Sequence, residues 1–480
     1  MKKLLHFTLA LVAALMLSTI SCNAGNEDSE IEIRNSNSLR VENIKVSTNG
    51  NIEFNDDYTD VKAMSDDAYI KISMVSFGMK RKLYIHSEEG RILYRYMEGS
   101  REVDFEPKGR EWMKKMLPDI VRSSGMDLEN RVNKVYKKSG ISGFLKELEE
   151  TRSDYYRSNM VRYLLKNNSL NKNELRSLIR EFPYRIKSDY ELSRIYKKYN
   201  PIFIHDPEIS EEFFKSLEEL SSNYELSQVL KSVYRQNELN LNNFNRFIDA
   251  MDDISSSYEK SNLIKMALAD NKLTKAQLDV LLDEVEEIGS NYEKSQIIKS
   301  IIKVDGLSSS NANKIIELTG SISSDYEMGL IINSMIHEEM LNQSNLDEFI
   351  DLLDNISSDY TFRRILNQLI TYDELGDDRF DFLLDVSDEI SSSYELSRFY
   401  KALAMTGGMT KKQQLKLINK SGNISSNYEL ANFLKLATIK MDIEDNDIRD
   451  ALIEAAQGIE SEFEYGKVMK AIYSKNQPSN

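Results

Sequence analysis

Tyrosine recurs eight times at an interval of 34 residues, at Tyr190, Tyr224, Tyr258, Tyr292, Tyr326, Tyr360, Tyr394 and Tyr428, and Tyr155 and Phe463 extend the series at a spacing of 35. A period of that size, carrying two helical patterns per unit, defines a stacked array in which each unit buries its apolar faces against its neighbours. The expected fold is therefore mainly α, an α-solenoid of about ten such helix-pair repeats preceded by a small antiparallel β domain. Composition agrees, since 41% of the residues are hydrophobic and only 6 are proline.

The repeat can be assembled from its parts. A serine stands two residues before most of the tyrosines and a glutamate one after, as in Ser188-Asp189-Tyr190-Glu191 and Ser426-Asn427-Tyr428-Glu429. This pattern predicts a capping box: the serine oxygen accepts from an orphan amide at the helix start, and the glutamate reaches back to the serine N–H. Tyr156 and Thr361 stand where that glutamate is expected. Three residues after the tyrosine comes a small side chain such as Ser295, Gly329 or Ala431, with Arg363 the exception, and apolar pairs such as Ile297-Ile298 and Ile331-Ile332 supply the buried face. Gly306, Gly407-Gly408 and Asn271 stand where a left-handed residue would end the helix. The second helix follows, with Thr274 or Thr410 as cap three residues before Gln277 or Gln413. Its apolar stripe, Leu278, Leu281, Leu282, Val285 and Ile288, matches Phe244, Phe247, Ile248, Met251 and Ile254 one unit earlier.

The regions before the repeats differ in kind. Residues 1–21 have the order of a secretory signal peptide, with Lys2-Lys3 before an apolar run too short to span a membrane permanently. Cys22, the only cysteine, resembles the acylated cysteine of a bacterial lipobox, so lipidation and an envelope location, on the periplasmic face or the outer surface, are expected. Ordinary secretion with a free thiol is the alternative. Residues 22–38 read as a flexible polar tether, 39–106 as the β domain, 107–140 as capping helices containing the only tryptophan, Trp112, and 141–476 as the repeats. The Asn200-Pro201 to Asp206-Pro207 stretch predicts a kink or altered turn.

Little points to chemistry. His86, His205 and His337 stand without partners in sequence, and His337-Glu338-Glu339-Met340-Leu341 lacks the second ligand of a zinc-peptidase helix. Phosphate-loop, nucleophile-elbow and calcium-loop motifs are missing, so no enzyme activity, cofactor or metal is expected. A net charge of −16 argues against nucleic acid and against anionic lipid heads as partners.

Two ladders remain. The tyrosines can be read as an aromatic stripe for a glycan or peptide, or as structural residues packing each first helix on its neighbour; burial is expected from the second reading, which is preferred. Asp249, Asp283, Glu317, Asp351 and Asp385 stand nine residues before successive tyrosines, and Glu218, Asp252, Glu286, Asp354 and Asp388 stand six before. A solvated face is the ordinary reading of such a series. A negative surface for a basic protein segment or a cation is the sharper one, because aligned like charges add into one field.

The helix pairs resemble a HEAT-type solenoid. The Ser-Asp-Tyr-Glu helix starts, with Gly109-Arg110-Glu111-Trp112 through Arg122-Ser123-Ser124-Gly125 after a β segment, are similar to the repeat-bearing extracytoplasmic region of membrane zinc peptidases of the penicillin-sensor type. That resemblance covers residues from about 50 to 475 and implies an interaction or sensing module without the peptidase. The expected function is a lipid-anchored envelope scaffold or sensor that binds another protein, with a glycan or peptide-fragment binder as the alternative.

Overall fold

The computed structural model describes residues 29–37, 40–76, 78–270, 272–340, 345–371 and 376–474, and the side chains of these apart from 29–37, 40–43, 346, 347 and 371. Cys22 and Asn271 lie outside the described residues. Among the described residues, 21 α-helices form a repeat array preceded by a small antiparallel sheet. Two compact units divide the chain, 1–238 and 239–480.

In the first unit, strands β1 (Ser29–Asn37), β2 (Arg40–Asn49), β5 (Tyr69–Ser76), β6 (Met79–Glu88), β7 (Arg91–Glu98) and β8 (Arg101–Val103) form one sheet in that order, and β3 (Ile52–Phe54) pairs with β4 (Val61–Met64) in a separate hairpin. Strand β1 occupies part of the stretch expected to be a tether. Ile31 and Ile33 alternate with Glu30, Glu32 and Arg34, and the run pairs with β2 from Ser29↔Thr48 to Asn37↔Arg40; the short, charged alternation is a strand because the hairpin pairs its backbone.

The sheet shares its core with a helix. Val46, Ile70, Ile72, Leu83 and Ile85 cluster with Met113, Leu117, Ile120 and Val121 of α1 (Arg110–Ser124), as a sheet too small for a core of its own requires. Trp112 packs partly buried against this cluster, 5.8 Å from the Tyr96 ring. Gly125 closes α1 at φ +68, and a Cβ there would meet the Tyr156 ring at 2.1 Å, so only glycine fits. The β3–β4 loop places the buried Tyr58 ring against the guanidinium groups of Arg122 and Arg131, at 5.3 and 5.4 Å. Arg131, in α2 (Leu128–Glu150), is itself buried, and donates to the Val121 carbonyl at 3.1 Å and to Glu147 at 2.6 Å. Burial holds the Tyr58 phenol above its ordinary pKa and keeps it neutral.

Helices α3 (Asp154–Asn167), α4 (Lys172–Arg185), α5 (Asp189–Ile204), α6 (Pro207–Ser216) and α7 (Asn223–Gln236) complete this unit. The irregular stretch is not a turn at residue 200: α5 runs on through Pro201 to Ile204. Proline lacks the N–H that would bond the Lys197 carbonyl. That carbonyl instead accepts from Asn200 Nδ2 at 3.1 Å, Ser232 Oγ at 3.1 Å and Gln236 Nε2 at 3.2 Å. Asp206 then caps α6 with Pro207 in its first turn.

The second unit alternates two classes of helix. Second helices are α8 (Leu241–Asp249), α10 (Lys275–Glu286), α12 (Ser309–Gly320), α14 (Leu346–Leu353), α16 (Asp377–Val386), α18 (Lys411–Lys420) and α20 (Asn446–Gln457). First helices are α9 (Ser257–Ala269), α11 (Asn291–Ile301), α13 (Asp325–His337), α15 (Asp359–Thr371), α17 (Ser393–Met405), α19 (Asn427–Lys440) and α21 (Glu462–Ser474). Each class packs on its own kind one repeat later, as α11 on α13 and α10 on α12. Gly306, Gly407 and Gly408 adopt positive φ as expected.

The helix starts correct the capping-box expectation. Serine does accept from the glutamate N–H, as Ser290 Oγ does from Glu293 at 3.3 Å. The glutamate side chain does not reach back, and at Ser222, Ser358 and Ser392 the serine N–H donates to the preceding repeat instead. Ser358 N–H donates to Asp325 at 2.7 Å and Ser392 N–H to Asp359 at 2.8 Å, with the Ser357 and Ser391 hydroxyls on the same carboxylates. Reciprocal boxes occur on second helices instead, at Thr274/Gln277, Ser308/Asn311 and Thr410/Gln413.

Freed from the box, the glutamate meets a lysine seven residues after the previous tyrosine: Lys265–Glu293 and Lys401–Glu429, both at 3.4 Å. Glu327 Oε2 has no partner among the described residues although Lys299 stands at the lysine position, and two other departures from the rung are compensated. Where Asn333 replaces the lysine, the next glutamate is Thr361, and Gly329 makes room for it, since a Cβ there would lie 2.6 Å from the Thr361 methyl. Where Asn367 replaces the lysine, Arg363 supplies the cation to Glu395 from the position otherwise held by a small residue. Both partners of that pair are buried.

Removing one member of a buried pair strands the other, so Arg363→Ser should cost about 3–5 kcal/mol in urea unfolding. Adding Asn367→Lys to the same chain recreates the ordinary rung and should recover most of the loss. A single substitution that leaves stability unchanged would show the pair to be idle.

Candidate functional site

Helix geometry decides where the tyrosines point. At about 100° per residue, the side chains two, three, five and six residues after the tyrosine centre on the face opposite the ring. Those positions are the buried ones, as Lys294, Ser295, Ile297 and Ile298 show in α11. The eight tyrosines are accordingly 50% to 61% exposed, and Phe463 is 71% exposed. The expectation that Tyr190, Tyr224, Tyr258, Tyr292, Tyr326, Tyr360, Tyr394 and Tyr428 bury their rings as packing residues is therefore overturned; each presents an aromatic face to water at the start of its helix.

Cations accompany several rings. The Arg194 guanidinium lies 6.0 Å from the Tyr155 ring and 5.8 Å from Tyr190, so one planar group lies against two successive rings. Arg363 and Arg364 lie 5.4 and 5.7 Å from Tyr360, and Arg398 lies 5.4 Å from Tyr394. In the second unit the first helices carry 12 Lys and Arg against 9 Asp and Glu, whereas residues 239–480 as a whole carry 24 against 41. The negative charge thus belongs to the second helices and turns.

The acidic series lies there. Asp249, Asp283, Glu317, Asp351 and Asp385 are all exposed, on α8, α10, α12, α14 and α16. Partial burial, with the Asp252 charge beside it, raises the Asp249 carboxyl above its ordinary pKa. The stripe is not bare. Lys314 bridges Asp283, Glu286 and Glu317 at 3.9, 3.2 and 3.4 Å. Helix α18 sets Lys412, Lys416 and Lys420 against Asp377, Asp381 and Asp388, and Lys420 also reaches Asp385 at 3.9 Å. Lys314 thus partly neutralises the stripe on α10 and α12, and the lysines of α18 do so on α16.

One ionic feature escaped the sequence reading. Lys260 and Glu284, both buried, pair at 2.9 Å at positions held by Leu226 and Leu318 in neighbouring repeats. Burial raises the Glu284 pKa, and in the next repeat it lowers that of Lys294. A comparison of equivalent positions between repeats was the signal that could have found the pair.

His205 is exposed at the end of α5, and His86 lies 4.0 Å from Glu88. Among the described residues, no three His, Cys, Asp or Glu side chains come together as a metal site, and no helix is long and apolar enough to cross a membrane.

No protein-family model matches the chain, and no curated protein matches it in sequence. Among solved structures it is similar to the TSC2 N-terminus, at 11% identity and a TM-score of 0.34 over 69% of this chain and 99% of that one. It is also similar to a circular tandem repeat protein with novel repeat topology, at 10% identity and a TM-score of 0.14 over 77% and 78%. Both are helical repeat proteins, the class to which the architecture above assigns this chain, and the scores are too low to carry any argument about function.

A ring in water contributes little to stability. Tyr292→Ala should shift the unfolding free energy by no more than about 0.5 kcal/mol, the range of ordinary surface substitutions. A loss of about 3 kcal/mol or more would instead restore the packing role.

Proposed function

We propose that this chain is a lipid-anchored scaffold or sensor of a bacterial cell envelope that holds another protein through the acidic face of its second helices. The observation that carries the reading is the segregation of charge in residues 239–480, where Asp249, Asp283, Glu317 and Asp351 stand on consecutive second helices. Aligned carboxylates of one sign add into a field that attracts a basic surface and accelerates encounter. Repeat arrays in general serve as interaction platforms, and the resemblance to the extracytoplasmic region of penicillin-sensor-type peptidases fits a sensing module of this kind. Capture of glycan or peptide fragments is a second reading, favoured by the water-exposed tyrosine rings.

Two measurements test it. Cys22→Ser should move the protein from the membrane fraction to the soluble fraction, and unchanged membrane association would remove the lipid anchor from the account. Asp283→Asn with Glu317→Gln and Asp351→Asn should leave the melting temperature nearly unchanged while weakening crosslinked recovery of the partner and flattening its salt dependence. Equal recovery from cells holding matched amounts of either form would reduce the stripe to a solvated face.

A further inference from the structure

We infer that the tyrosine row of residues 239–480 is a docking track for a proline-rich segment in the polyproline II conformation. The inference rests on reading the chain as a protein-binding scaffold, but it uses the opposite class of helix from the acidic stripe.

Three observations converge. Tyr258, Tyr292, Tyr326, Tyr360, Tyr394 and Tyr428 are each at least half exposed and occupy the same position in successive first helices. Four residues after each ring, on the same helix face, stands Asn262, Gln296, Leu330, Arg364, Arg398 or Asn432. All but Leu330 are planar hydrogen-bond donors, and all are at least partly exposed. Among the described residues, the side chains of Asn262, Gln296 and Asn432 make no hydrogen bond within the protein.

The spacing selects the ligand's backbone. Packed helices lie about 8–10 Å apart. A polyproline II helix has three residues per turn and rises about 3.1 Å per residue, so it presents the same face about every 9 Å, once per repeat. A β-strand presents the same face every two residues, about 6.7 Å, and falls out of step after one ring. Hydrogen bonding selects in the same direction. Polyproline II has no internal hydrogen bonds, so its carbonyls are free to accept from the amide and guanidinium donors beside every ring but Tyr326, whereas the carbonyls of a helical ligand are already bonded. Proline rings stack on aromatic faces, and the preformed conformation loses little entropy on binding.

Fluorescence anisotropy on the full chain tests the inference, with labelled oligoproline peptides of 6, 9, 12 and 15 residues as probes, a Gly-Ser peptide of equal length and an amphipathic helical peptide as controls, and a chitin oligosaccharide as competitor. Saturable oligoproline binding is expected, tightening with each added turn and little affected by salt. Tyr292→Ala with Tyr326→Ala and Tyr360→Ala should weaken it at least tenfold with helical content unchanged, and the corresponding Phe variants should retain most of it. Asn262→Ala with Gln296→Ala, which leaves every ring in place, should weaken it several-fold and carries the test if the triple variant unfolds. Absence of saturable binding, equal affinity for either control peptide, or indifference to the tyrosine and donor variants would overturn the inference. Oligosaccharide binding that needs the rings while oligoproline fails would assign the row to sugar. Loss of the acidic-stripe interaction alone would leave this result standing, so the two readings can fail separately.

Discussion

At three helix starts in this array the first turn is completed by the repeat before it. An N-cap serine satisfies one orphan amide of its helix, but its own N–H requires an acceptor, and for Ser222, Ser358 and Ser392 that acceptor is the aspartate just before the tyrosine one repeat earlier. Backbone polar groups left unpaired in a packed interface are costly. The starts of these helices therefore lean on the helix before them, and the Lys–Glu rungs create the same dependence in other repeats. Apolar burial drives the stacking, and these polar bonds fix its register.

Much of this was legible in the chain. The 34-residue period, the serine caps, the glycines at positive φ and the 3-4-3 apolar stripes all follow from local rules, and local rules are what a sequence displays. The aspartate acceptor of the Ser222, Ser358 and Ser392 N–H groups was not legible, because a glutamate three residues on is a valid local partner and the aspartate lies a whole repeat away. Strand β1 was missed for a related reason: Glu30 to Arg34 is charged enough to pass for a tether until β2 pairs with it. The tyrosines are different. Their exposure was contained in the helix period, since the small and apolar positions already recognised as buried put the ring on the far side. A consensus aromatic was taken for a packing residue because aromatics usually are.

The two classes of helix give the second unit two chemically distinct faces. Second helices and turns share the surplus carboxylates, which are partly neutralised by Lys314 and by the lysines of α18. First helices carry rings, amides and a small excess of cations. A long-range field on one face and short-range stacking on the other differ in salt dependence and in the ligands they admit, so a repeat of two helices can serve two partners without one site constraining the other.

The dependence of each repeat on its neighbours makes the repeats exchangeable, and removal of a single one tests this most directly. Deleting residues 291–324 joins Ser290 to Asp325, keeps an N-cap serine in place, and aligns Lys265 with Glu327 as a new rung. The account predicts a folded protein by far-ultraviolet circular dichroism, with unchanged helicity per residue and one cooperative melt. Lost helicity or aggregation after this deletion would contradict it.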